Sequence, residues 1–148
     1  MIALRHFRCE DATVLQQFLY ADTSIEEIQS MICDWSKYEY QGKYFEMFAI
    51  IHDGNIVGTV SLSEHSDNVV SIGEEVFSAY QRQGFGKKAM NVALEIAKDK
   101  GYKIVLQQVR SNNIPSIAMH KSLGFETDSY AYINKKGNEV FLFLKALS

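Results

Sequence analysis

The chain has 148 residues, 47% of them apolar and 22% charged, and a formal net charge of −3. That is one domain's worth of a folded globular protein, expected over residues 1–148; disorder and collagen-like repeats are excluded, and the negative balance argues against a dedicated nucleic-acid binder. No apolar run approaches the ~20 residues that cross a bilayer. The N-terminus turns polar at once, which argues against a signal peptide. Cys9 and Cys33 have no metal-ligand spacing. The expectation is a reduced, cytoplasmic protein with no metal and no membrane partner.

Residues 2–8 have the mixed pattern of a first strand. Asp11 is placed to cap a helix through Leu15, Phe18 and Leu19. Ser24, with Glu27 three residues on, forms a capping box for a second helix whose stripe is Ile25, Ile28, Ile32 and Trp35. Strands over 44–51 and 56–62 flank the turn at Asp53-Gly54-Asn55, the pattern of a hairpin. Another strand covers 69–77. A helix over 84–100 carries Phe85, Ala89, Met90, Ala93, Leu94, Ile96 and Ala97 on one side and stops at Gly101. A strand over 102–109 follows, then a helix opened by Asn113, with Pro115 in its first turn, and ended by Gly124. Strands over 130–133 and 140–144 close the chain. The order β-α-α-β-β-β-α-β-α-β-β predicts an α/β fold with a mixed, mostly antiparallel sheet, parallel where helices intervene.

Charge is unevenly spread. Residues 1–70 hold four Lys/Arg against eleven Asp/Glu; residues 71–148 hold eleven against seven. Both halves read as solvated faces, or the second half meets an anionic ligand. Gln81-Arg82-Gln83-Gly84-Phe85-Gly86, between a strand and a helix, gives that anion a location. A helix start exposes unpaired N–H groups and partial positive charge, and glycines let a phosphate approach the backbone. Lys87 and Lys88 oppose the helix dipole and are better explained by an external anion. A Walker loop fails at Gln81 and Lys88. Gly84-Phe85-Gly86-Lys87-Lys88-Ala89 meets the dinucleotide fingerprint literally, but about six polar residues separate it from the preceding strand and no acidic residue ends the next one.

The third option is the Q/R-x-x-G-x-G/A pyrophosphate loop. Residues 76–86 resemble the strand-to-helix signature of the GNAT acetyltransferases, and Asn113 through Gly124-Phe125 resembles that family's second signature, with His120 where most members carry Tyr. The resemblance covers essentially the whole chain. It implies a GNAT-like fold with about four helices and acetyl-CoA bound where two parallel strands splay apart. Val76 and Phe77 would meet the pantetheine. Gln81, Arg82, Gln83, Gly84, Phe85, Gly86 and Lys87 would hold the pyrophosphate, and Asn113 would bond the pantetheine or cap its helix.

The implied reaction is N-acetylation of a primary amine on a small molecule or a protein. His120 would protonate the departing thiolate; its ordinary pKa near 6.5 suits an acid or base at neutral pH. Glu74 or Glu75 would serve as base, alternation sending the two to opposite faces. Glu26, Glu27, Asp34, Trp35 and Tyr38 form either a rim for a cationic acceptor or an ordinary helix exterior. A non-catalytic acyl-CoA-binding module of the same fold is the alternative function, a nicotinamide-nucleotide enzyme a third, and a homodimer is compatible with the resemblance.

Overall fold

A computed structural model describes residues 1–148. The elements are β1 (Ile2–His6), α1 (Ala12–Phe18), α2 (Ile25–Trp35), β2 (Glu39–Tyr40), β3 (Lys43–His52), β4 (Asn55–Ser66), β5 (Val69–Val76), α3 (Phe85–Asp99), β6 (Ile104–Arg110), α4 (Ile114–Ser122), β7 (Tyr132–Ile133) and β8 (Glu139–Ala146). They form one sheet in the order β1-β3-β4-β5-β6-β8-β7, with β2 beside β3. Every neighbouring pair is antiparallel except β5 and β6, which run parallel and are joined through α3. The fold is the mixed, mostly antiparallel α/β architecture expected, with the two-residue β2 added. No helix is long and apolar enough to cross a membrane.

Local chemistry accounts for the elements. The β3–β4 hairpin turns on Asp53 and Gly54, both at positive φ (50° and 79°), which an Asp-Gly pair accommodates. Ser24 accepts the N–H of Glu27 at 3.1 Å and opens α2. Asp11 behaves differently from expectation. Its side chain caps nothing in α1; it accepts the backbone N–H of Arg8 and a two-pronged contact from the Arg5 guanidinium at 2.7 and 3.1 Å. A charged fork outcompetes the helix N–H groups.

Two cores sandwich the sheet. On one face α3 buries Phe85, Ala89, Met90, Ala93, Leu94 and Ala97 against Leu62, Val70, Ile72 and Val105, and α4 leans on the same core through Ile117 and Met119. On the other, Leu15 of α1 and Ile28 and Ile32 of α2 cover Ala49, Ile56 and Phe77. A fully buried Leu or Ile contributes about 1.5–3 kcal/mol relative to exposure, so these two seams fix the helices. Gly58 sets the approach of β4 to β5: a Cβ there would lie 2.2 Å from the carbonyl oxygen of Glu75.

Candidate active site

β5 and β6 pair for only two residues, Val69 with Ile104 and Val70 with Val105, and then diverge. Beyond that point the edge of β5 that faces β6 has no strand partner, and buried backbone polar groups must find one elsewhere. Alternation assigns that edge to the N–H and C=O of Ile72, Glu74 and Val76. The side-chain amide of Gln107 on β6 fills the first position: its Oε1 accepts the Ile72 N–H at 2.8 Å and its Nε2 donates to the Ile72 C=O at 2.6 Å. Gln81 Nε2 donates to the Val76 C=O at 3.1 Å. The backbone of Glu74 lies between these two plugs.

The gap opens into a cleft of about 810 Å³, a size typical of small-molecule sites. Its floor is β5 and the first turn of α3, and its far wall is α4. Glu74, Glu75, Val76, Gln81, Arg82, Gly84, Phe85, Gly86, Lys87 and Asn113 line it. Gly84 holds φ 79°, the left-handed conformation that lets the loop turn into α3, and Arg82 holds φ 67°. The leading N–H groups of α3 therefore start at the cleft, beside the cations of Arg82 and Lys87. At Gly86 a Cβ would lie 2.8 Å from Glu74 Oε2 and 3.6 Å from Val76 Cγ2, so the missing side chain keeps the helix close to the strand. Asn113 accepts the Ser116 N–H at 3.2 Å and caps α4.

Glu74 and Glu75 point to opposite faces. Glu74 is half-buried against the start of α3, and burial, reinforced by the charge of Glu75, raises its pKa above the ordinary carboxylate value. Glu75 is exposed on the face covered by α1, where its charge, after burial, contributes to raising the pKa of Tyr20.

Three of the expected residues do not line the cleft. Phe77 is buried on the opposite face, its ring stacked on Phe18 at 4.7 Å and its N–H donated to the Val57 carbonyl. Gln83 projects from the loop into solvent. His120 is buried beneath the cleft wall. Its Nδ1–H donates to the Ser116 carbonyl at 2.8 Å, and its Nε2 faces the Gln107 amide nitrogen at 3.4 Å. Phe125 meets it edge-on and Phe143 packs beside it. Burial lowers its pKa below 6.5, partly offset by the Ser116 carbonyl. Both ring nitrogens are engaged, and burial favours the neutral form.

Four of the five residues of the expected acidic rim have contacts of their own, and Glu26 is exposed. Trp35 packs on Phe7, Tyr38 lies against the His6 ring, Asp34 pairs with Lys37 at 3.3 Å, and Glu27 accepts the Ser24 hydroxyl at 3.2 Å. None of these residues lines the cleft. The sequence reading passed over Tyr80, Pro115, Ser116, Ala118, Met119 and Ser122, which complete it. Four of the five α4 members, Pro115, Ala118, Met119 and Ser122, recur at i, i+3, i+4 and i+7, a helical stripe legible in the sequence.

A strand pair that opens beside a glycine-turned helix start defines a class: an α/β domain with a splayed sheet and a ligand-sized cleft at the splay. The model of the acetyltransferase (GNAT) family matches residues 7–125, and the chain belongs to that family. No curated protein matches it. Among solved structures, RimJ of Mycobacterium smegmatis, in complex with a CoA disulfide, is 18% identical with a TM-score of 0.81, over 98% of this chain and 81% of that one. The Salmonella typhimurium acetyltransferase that modifies the N-terminal serine of ribosomal protein L7/L12 is 18% identical with a TM-score of 0.77, over 99% and 95%. The microcin C7 self-immunity acetyltransferase MccE, in complex with acetyl-CoA and AMP, gives 18% and 0.77, over 98% and 92%. At these identities the likeness shows a shared fold.

Proposed function

We propose that the chain works as one domain over residues 1–148, binds acetyl-CoA in this cleft and transfers its acetyl group to a primary amine. The observation that carries this reading is the unpartnered edge of β5 leading into the start of α3. An amide-rich pantetheine arm can pair with the backbone of Glu74 and Val76 as an added strand, displacing the Gln81 plug. The diphosphate then falls on the N–H groups of residues 84–87, beside Arg82 and Lys87. Fold relatives that hold CoA or acetyl-CoA support the choice of ligand. Unpaired thiols at Cys9 and Cys33 suit a cytoplasmic setting.

In the reaction the amine nitrogen attacks the thioester carbonyl, the C–S bond breaks, and an amide N–C bond forms. The nitrogen loses one proton and the sulfur, leaving as thiolate, gains one from solvent. Glu75, exposed on the face opposite α3, is the carboxylate placed to take the amine proton; Glu74, turned toward α3, is not. His120 is assigned a positioning role: it orients Gln107, which holds the sheet open at Ile72.

Thiol release from acetyl-CoA over a panel of amines tests this. Glu75→Gln is expected to lower kcat by about a hundredfold, the low end of general-base effects, with acetyl-CoA affinity retained. Binding of acetyl-CoA with no transfer to any amine would instead support a non-catalytic acyl-CoA-binding module. Stabilisation by NADP and not by acetyl-CoA would overturn the assignment; a ligand at a hundredfold over its Kd stabilises by about 2.7 kcal/mol.

A further inference from the structure

Five of the eleven cations in the second half of the chain line two concave surfaces. Arg82 and Lys87 line the cleft. Arg110, Lys135 and Lys136 line a separate open groove of about 630 Å³ formed by the end of β6 and the β7–β8 hairpin. No acidic residue lines that groove, and none of its three cations forms an ion pair within the chain.

The groove is structurally supported. Asn134 Oδ1 accepts the N–H groups of Lys136 and Asn138, each at 3.0 Å, and Gly137 holds φ 83°, which closes the hairpin turn. Asn134 Nδ2 donates to Gln108 Oε1 at 2.9 Å and ties that turn to β6. The two lysines thus sit on a turn anchored to the strand that carries Arg110.

Register relates this groove to the acceptor side of the gap. β5 and β6 run in step from Val69 with Ile104 and Val70 with Val105. Counting on in the same step gives Glu75 and Arg110 equivalent positions on the two diverging strands, one on each lip of the gap. The two-residue period puts both side chains on the face opposite α3, and both are exposed. A carboxylate on one lip complements an amine. An uncompensated guanidinium and two ammonium groups on the other complement an anion.

Resting on the transferase reading above, we infer that the acceptor is a small amine that also carries a carboxylate or phosphate: its nitrogen meets Glu75 and its anion meets Arg110, Lys135 and Lys136. The side of the gap away from α3 therefore selects against simple cationic amines, the reverse of what the charges on α2 suggest.

The test compares kcat/KM for matched acceptors at low ionic strength: ω-amino carboxylates, aminoalkyl phosphates, the corresponding neutral amino alcohols, and diamines. An anionic acceptor should exceed its neutral counterpart by at least tenfold, mainly through KM, and the two anionic series tell whether carboxylate or phosphate is preferred. In Arg110→Gln and in the double variant Lys135→Gln/Lys136→Gln that ratio should fall toward one. The surface control Lys37→Gln should keep it. Transfer that favours neutral amines or diamines, or a ratio unmoved by either groove variant, overturns this inference and leaves the transferase reading standing. Acetyl-CoA binding without transfer to any amine overturns both.

Discussion

His120 shows how a residue's position in a motif and its surroundings in the fold can assign it different work. Its place four residues before Gly124 suggested a proton donor; it is buried, with Nδ1–H on the Ser116 carbonyl and Nε2 toward Gln107, the contacts on which the positioning role proposed for it rests. A buried neutral histidine has a consequence for stability. Burial depresses its folded pKa below the unfolded value near 6.5, so between the two values the unfolded chain binds the extra proton and stability is lost as pH falls below 6.5. Thermal unfolding at pH 7.5 and pH 5.5 should show a drop in Tm that is smaller in His120→Gln, which has no proton to gain. Equal drops would show that the ring does not stay neutral in the fold. Asp11 and Glu46, both held below the ordinary carboxylate range by their Arg5, and Tyr44 and His6, hydrogen bonds against the cost of burial, act only at more acidic pH. Alternation in the sequence separated Glu74 from Glu75 but could not say which face α3 would cover; the contact of Glu74 with Gly86 decides it.

At the level of elements, local signals were legible and tertiary substitutes for them were not. The Ser24 cap, the Asn113 cap, and the helix stops at Gly101 and Gly124 stand in the structure as read, the two glycines at φ 92° and 89°, while Glu27 accepts the Ser24 hydroxyl and not the backbone N–H that a capping box needs. β2, two residues long, carries too little pattern to be seen. The strand expected over 130–133 shortens to Tyr132–Ile133 because Asp128 Oδ1 accepts the Tyr130 N–H and Ser129 turns at φ 66°. The two caps differ in what they support. Ser24→Ala and Asn113→Ala should each cost about 1 kcal/mol, or roughly 2–4 °C in Tm for a chain of this size. Only Asn113→Ala should also weaken acetyl-CoA binding, because α4 forms the cleft wall and α2 does not. Titration calorimetry separates the two; equal affinities in both variants would remove α4 from the binding surface.

For the molecule as a whole, element order and hydrophobic period gave a mixed, mostly antiparallel sheet but not which helix-linked strands run parallel: β1 and β3 across α1 and α2, and β6 and β8 across α4, are antiparallel, whereas β5 and β6 run parallel through α3. The opening of that pair was not written in any local pattern. It depends on Gln107 reaching across to Ile72 after the backbone ladder stops at Val70, a contact between residues 35 apart. Five of the eleven cations in the second half of the chain gather at a helix start beside the cleft and in a groove on the β6 side of the gap. Both depend on the sheet presenting the free edge of β5 to a ligand. A crystal structure with coenzyme A tests that directly. It should show the diphosphate against the N–H groups of residues 84–87 and the pantetheine amides bonded to the backbone of Glu74 and Val76. Coenzyme A bound elsewhere, or an edge of β5 still closed by Gln81 with the ligand present, would contradict the account.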